Sequence, residues 1–331
     1  MADKQAFTVG VDLGGTKIKT AVINADGEVV TSHKRPTGAD RPAEEVIRDI
    51  VLSATACINE AHVQVQALGI GIAGQVDTEA GILHSSPNLN WKTFPFPLRK
   101  NLEAALDLPV VITNDVRAIL WGEWQHGAGQ GVDDLVVVYV GTGIGGSILS
   151  GGQVLIGDQG SAGELGHTML VAGGRPCHCP SIGCFEAYAG GWAIAERAQE
   201  AVRADEAAGK LLMDLAGSID KISAETLDKA YEQGDALARR LVEETGFYLG
   251  AGLTGIINAL NPRCLVLGGG VIDGVPELVD MAEAVIRKQA MKVAREHLHV
   301  VRATLGSNAG VIGAATLARR LLEQRAAAGA V

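Results

Sequence analysis

The chain has 331 residues, a formal net charge of −10, 47% hydrophobic residues and 20% charged ones. That length and apolar content allow a sizeable core and fit two domains better than one, while an acidic balance without a basic stripe argues against nucleic acid as the main partner. There is no uncharged apolar run of about eighteen residues to span a membrane, and no basic segment followed by an apolar one opens the chain, so a cytoplasmic protein is expected.

Phe7 to Leu13 reads as a buried strand, Ile18 to Ile23 as its hairpin partner, and Asn24 to Gly27 as the turn into a third strand, Glu28 to Lys34. A β-meander therefore opens the protein. A helical period covers Pro42 to His62, a strand Ala67 to Ile72, a helix Leu98 to Leu106, and a short strand Val110 to Thr113 ends at Asn114-Asp115. After the helical stretch Val116 to His126, the apolar strand Leu135 to Val140 runs into the turn Gly141 to Gly146 and a second hairpin, repeating the opening pattern. Further on, helices are predicted near Gly191 to Glu206 and Asp235 to Leu260, a strand at Cys264 to Leu267 before Gly268-Gly269-Gly270, and a closing helix from about Gly310 that folds back on the first lobe.

The segment from Glu164 to Glu186 carries the strongest local signal. It sets Glu164, Gly166 and His167 ahead of Cys177, Cys179 and Cys184, with Glu186 two residues beyond. One imidazole and three close thiols form a Cys₃His donor set suited to tetrahedral zinc. His178 lies between two ligands and ranks behind His167 as a donor, while Glu164 and Glu186 are placed to accept hydrogen bonds from a polyol. The five cysteines suit a reducing compartment rather than a disulfide framework, with Cys57 and Cys264 reading as core.

Asp12-Leu13-Gly14-Gly15-Thr16-Lys17 follows a buried strand directly, so its backbone N–H groups can approach phosphate oxygens while Asp12 orients a hydrated Mg²⁺. The plain alternative is an ordinary hairpin turn. Gly141 to Gly146 matches the letters GxGxxG, but that dinucleotide fingerprint must open a helix, and Ser147-Ile148-Leu149 reads as strand. A second phosphate turn, with Gly141, Thr142 and Gly143, is the better account. Asn114-Asp115 can cap the following helix, and a carboxylate at the carboxyl end of a strand is also where a general base would take a hydroxyl proton before attack on a γ-phosphate.

Together, DLGGTK, Asn114-Asp115, GTGIGG, Glu164-Leu165-Gly166-His167 and the cysteine run ending in Gly183-Cys184-Phe185-Glu186 resemble the ROK family of bacterial sugar kinases and sugar-responsive repressors, across essentially the whole chain. The resemblance implies an α/β, two-lobed actin-like and ribonuclease H-like sugar kinase fold with a zinc-binding loop. The expected domains are a smaller one of residues 1–115 plus about 312–331, and a larger one of residues 116–311 carrying the zinc loop. It further implies Asp115 as the base on the sugar 6-hydroxyl, with Asn114, Glu164, His167 and Glu186 as sugar contacts and the Gly74 backbone as another. ATP-Mg²⁺ would lie between the Asp12 and Gly141 turns, with Gly269 and Gly270 near the adenosine, and the zinc would be structural. A homodimer follows from family habit.

Two positions depart from the family pattern. Pro180 stands where glycine usually follows the second cysteine, fixing φ near −65° and removing an N–H. Arg117 stands among positions usually small, and reads either as a solvated helix residue or as a charge reaching substrate or phosphate. The expected reaction is ATP-dependent phosphorylation of a hexose at the 6-hydroxyl, glucose first, with N-acetylhexosamine, mannose or fructose as rival substrates and polyphosphate as a rival donor. A sugar-sensing repressor is the competing class, but only eleven residues precede Asp12, too few for a helix-turn-helix.

Overall fold

The computed structural model describes residues 7–328, so the outer ends of the expected domains, 1–6 and 329–331, lie outside the described residues. In chain order the first elements are β1 (Phe7–Leu13), β2 (Lys17–Ile23), β3 (Val29–Pro36), α1 (Ala43–Ala61), β4 (Val65–Ile72), β5 (Gln75–Asp77), β6 (Ile82–Ser85), α2 (Leu98–Leu106), β7 (Val110–Asn114) and α3 (Asp115–His126). Then come β8 (Leu135–Val140), β9 (Ile144–Ser150), β10 (Gln153–Val154), α4 (Glu186–Ala189), α5 (Gly191–Ala204), α6 (Lys210–Ala216), α7 (Ala224–Glu232) and α8 (Ala236–Leu260). The chain closes with β11 (Cys264–Gly268), α9 (Gly270–Gly274), α10 (Leu278–Gln289), α11 (Lys292–Glu296), β12 (His299–Arg302) and α12 (Ala309–Ala328).

Two compact units result, the first running to Gly131 with Leu155–Ala162 and the chain from Thr304 onward, the second comprising Val132–Val154 and Gly163–Ala303. The first holds a five-stranded sheet of order β3-β2-β1-β4-β7, an antiparallel meander extended by two parallel strands. Side chains alternate across β1. Val9, Val11 and Leu13 join the core shared with α1, whereas Thr8 faces α12 and its hydroxyl donates to the Ala315 carbonyl at 2.9 Å. That second face is floored by small residues because α12 lies directly on it. A Cβ at Gly10 would fall 1.8 Å from the Val311 carbonyl oxygen, and one at Gly69 1.8 Å from that of Ala314.

α3 packs along α12 and β4, so the chain stays in the first unit past residue 115. It re-enters that unit before residue 312 through Glu123, a fully buried carboxylate that accepts from the N–H groups of Thr304 and Leu305. The second unit repeats the sheet plan with order β10-β9-β8-β11-β12. There β8 and β9 are antiparallel, so Gly141 to Gly146 joins two strands and opens no helix. Its core gathers β8, β11, α5, α7, α8 and α10 around the fully buried Phe185. Among the described residues, no helix is long and apolar enough to cross a membrane.

Candidate active site and zinc loop

In the first unit the β1–β2 turn is pinned twice. The Gly14 N–H donates to the Lys17 carbonyl at 3.0 Å, and the Thr37 hydroxyl donates to the Gly14 carbonyl at 2.6 Å. Asp12 lies on the α12 face, where a Cβ at Gly310 would come 3.0 Å from its Cγ. Burial pushes the Asp12 carboxyl above the usual range, against the opposing pull of Lys17 and Lys19. Lys19, its partner across the β1–β2 ladder and only 3% exposed, donates from Nζ to the Ser307 carbonyl and to Asn308 Oδ1, each at 2.6 Å. Burial, then Lys34, lowers the Lys19 ammonium from its ordinary value.

β7 ends where α3 begins. Asn114 is the N-cap of α3, its Oδ1 accepting from Val116 N at 3.0 Å and Arg117 N at 3.2 Å, which satisfies two of the first-turn donors that a helix leaves open. Its Nδ2 donates to the Gly74 carbonyl at 3.4 Å, so Asn114 and Gly74 are brought together. Asp115 opens the helix, with Oδ1 accepting from Val116 N at 2.9 Å, and its Cα stands over Gly71 of β4, the residue paired with Asp12. Arg117 is not a solvated helix residue. It is 4% exposed and donates from Nη2 to the Gly160 carbonyl at 2.9 Å, tying the Leu155–Ala162 segment to α3.

In the second unit the Gly141 turn is built into its surroundings by backbone contacts. Gly141 and Thr142 carbonyls accept from Gly191 N and Trp192 N at 3.0 and 2.9 Å. Glu186 closes the turn from the other side, accepting from Ile144 N at 2.7 Å on Oε2 and from the Trp192 indole at 3.0 Å on Oε1. A Cβ at Gly143 would meet Glu186 Oε2 at 2.2 Å, so glycine is what lets the carboxylate approach. Gly166 is held as closely, a Cβ there falling 2.2 Å from the Ile144 carbonyl oxygen, which seats the 3₁₀ turn Leu165–His167 beside the same strand start. Glu164 precedes this turn and His167 ends it, and both are exposed. Gly269 has φ +100°, and its Cβ position lies 2.5 Å from the Val140 carbonyl oxygen, so the turn after β11 crosses the end of β8 just before Gly141.

His167, Cys177, Cys179 and Cys184 bring their ligand atoms within 4.8 Å of one another. Tetrahedral zinc with Zn–S of ~2.3 Å sets neighbouring ligand atoms roughly 3.5–3.8 Å apart. The observed 3.6 Å between Cys179 Sγ and Cys184 Sγ and 3.7 Å between Cys177 Sγ and His167 Nδ1 fit that spacing. Pro180 does not disturb it, the loop closing over the proline through Cys177 N to the Ser181 carbonyl at 3.2 Å. Burial pushes the Cys177 thiol up to about 12 and raises Cys184, while a hydrogen bond from the Ser181 backbone holds Cys179 below its ordinary value. Zinc needs thiolates, so loading such a site releases protons. His178 is not part of the cluster. Its ring stacks on Trp192, centroids 3.9 Å apart and planes 20° from parallel. Trp192 and Lys19 were not singled out from the sequence, although an indole shortly after Glu186 and a lysine inside an apolar strand were the available signals.

The family model described as "ROK family" matches residues 8–321, so the chain belongs to the ROK family. It is a sugar kinase, a phosphotransferase with an alcohol acceptor. Among its relatives is a glucokinase of Streptomyces coelicolor, 35% identical over 319 residues, covering 95% of this chain and 98% of that one. An N-acetylmannosamine kinase of Escherichia coli is 33% identical over 314 residues, covering 94% and 98%. The crystal structure of a ROK family glucokinase from Streptomyces griseus in complex with glucose and AMPPNP superposes with a TM-score of 0.83 at 35% identity, covering 95% of this chain and all of that one.

Proposed function

We propose that the protein transfers the γ-phosphoryl group of ATP-Mg²⁺ to the 6-hydroxyl of a hexose, with glucose as its first substrate and Asp115 as general base. The observation that carries the reading is the carboxylate of Asp115 at the end of β7 and the start of α3, held by Val116 N–H at 2.9 Å. A helix N-terminus favours the anion, the form able to accept the hydroxyl proton as the new O–P bond forms. Asn114, fixed by its own cap, presents its amide beside Gly74 to the sugar, and Glu164, His167 and Glu186 are assigned the remaining hydroxyls. With Nδ1 of His167 on the zinc side, Nε2 is the nitrogen offered to sugar.

The amides of Gly14, Gly15, Thr16, Gly141, Thr142 and Gly143, with the Lys17 ammonium, are assigned to the phosphates, and Gly269 and Gly270 to the adenosine. Asp12 suits a hydrated Mg²⁺, since a nearby cation offsets the cost of ionising a buried carboxylate. That ion supplies charge neutralisation on the phosphate oxygens. Zinc, on Cys177, Cys179, Cys184 and His167, supplies rigidity to the loop. A cytoplasmic homodimer is the assembly that goes with this reading, to be checked by light scattering and fractionation.

Identity to the glucokinase favours glucose, and nearly equal identity to the N-acetylmannosamine kinase favours an N-acetylhexosamine as the second reading. A coupled ADP-release assay over glucose, mannose, fructose, N-acetylglucosamine and N-acetylmannosamine separates them by kcat/KM. Asp115→Ala is expected to lower kcat by roughly 10²-fold or more while calorimetry still detects sugar binding. Retained turnover removes Asp115 from the role.

A further inference from the structure

We infer that Trp192 is a positioning residue that couples the zinc loop to Glu186 and, through Glu186, to the start of β9. The inference rests on the reading of Glu186 as a sugar contact. His178, between Cys177 and Cys179, stacks on the Trp192 ring at 3.9 Å. The same indole donates from Nε1 to Glu186 Oε1 at 3.0 Å, and the Trp192 backbone N–H donates to the Thr142 carbonyl at 2.9 Å. The other oxygen, Oε2, accepts from Ile144 N at 2.7 Å. One residue thus touches the metal-binding loop and the carboxylate through its ring and the Gly141 turn through its backbone, all within the second unit.

Glu186 has little room to do otherwise. It is 9% exposed, and Cβ atoms at Gly143 and Gly190 would meet its carboxylate and Cγ at 2.2 and 2.9 Å. The carboxylate is fixed by two donors on different elements, one of them a side chain whose plane is set by a residue of the zinc loop. A loop disordered by loss of metal would release His178, then the indole, then one oxygen of Glu186. A polar contact aimed at a substrate is most effective when its own partners hold it still.

The test uses the full-length protein with its metal. Trp192→Phe keeps an aromatic ring for His178 but removes the Nε1 donor. It is expected to raise sugar KM about tenfold, the scale of one hydrogen bond to a charged group, with kcat within about threefold and zinc content unchanged. Placed on Glu186→Gln, the same change should add little, because the two act as one unit. Additive losses would mark Trp192 as merely structural. A second readout is independent of turnover. The other tryptophans, Trp91, Trp121 and Trp124, are in the first unit, so stripping zinc with a chelator should change tryptophan emission in the parent protein and not in Trp192→Phe or His178→Ala. An unchanged sugar KM in Glu186→Gln would overturn the reading of Glu186. A raised KM there, with Trp192→Phe kinetically silent or with the same emission change in both variants, would overturn the inference about Trp192.

Discussion

The Asp12–Lys17 and Gly141–Gly146 turns occupy equivalent places in sheets of the same strand order, joining the inner strand of a meander to its neighbour. They are stabilised by different means. The first is bordered by formal charges, with Asp12 and the buried Lys19 paired across the ladder and Lys19 anchored on Ser307 and Asn308. The second carries no charged residue of its own and is secured by backbone bonds from Gly191 and Trp192 and by a carboxylate from outside, Glu186. One topology therefore accommodates two kinds of turn, one tuned by ionisation and the other by the order of the loop and helix that follow it. The first should respond to charge and pH, the second to metal.

The largest effect is expected from breaking the charged turn. Asp12→Asn keeps the shape and removes the anion, and kcat/KM should fall roughly 10²-fold with the Mg²⁺ saturation curve moved to higher concentration. Full activity at ordinary Mg²⁺ would show that the two turns are functionally alike and the charge contrast incidental. The metal side comes next. Cys184→Ser should lose zinc and lower Tm by roughly 5 °C, since metal binding is part of the folding free energy of such a loop. Sugar KM should rise with it, while the Mg²⁺ dependence stays as in the parent. A shift in Mg²⁺ dependence would erase the distinction between the turns.

Much of this was legible from residue spacing. Phe7–Leu13, Leu98–Leu106 and Leu135–Val140 match their predicted bounds because unbroken apolar patterns end at glycine, aspartate or proline signals. The Cys₃His cluster was legible because its ligands lie on one short loop. What escaped depends on partners distant in sequence. β12 is four residues whose strand character comes from pairing with Cys264 to Leu267. Arg117 looked solvated on a helix because its acceptor, the Gly160 carbonyl, arrives from a segment 43 residues away. His178 competed for the metal on paper because nothing local announces the Trp192 ring that holds it. Lys19 falls in a strand whose other residues are mostly apolar, and only the turn at Gly306–Asn308 explains a buried ammonium there.

The smallest effect is the most pointed, because it sets stability against activity at one residue. Burial raises the Asp12 carboxyl above its ordinary 3.8, with Lys17 and Lys19 only partly offsetting that cost. Between 3.8 and the raised value the folded protein binds more protons at this site than the unfolded chain, so stability falls as pH rises through that window. The other charged group acting on the pair is Lys34 on β3, while β4 and the first two turns of α12 carry none. Asparagine mimics the protonated side chain at every pH. Asp12→Asn should therefore have a higher Tm than the parent at pH 7, by a few degrees, and the gain should vanish near pH 4. Measured by calorimetry across that range, a gain that is flat with pH would trace the effect to packing. A loss at pH 7 would mean that Lys19 needs the Asp12 anion more than burial disfavours it, making Asp12 a stabilising partner of Lys19 rather than a carboxylate destabilised by its burial.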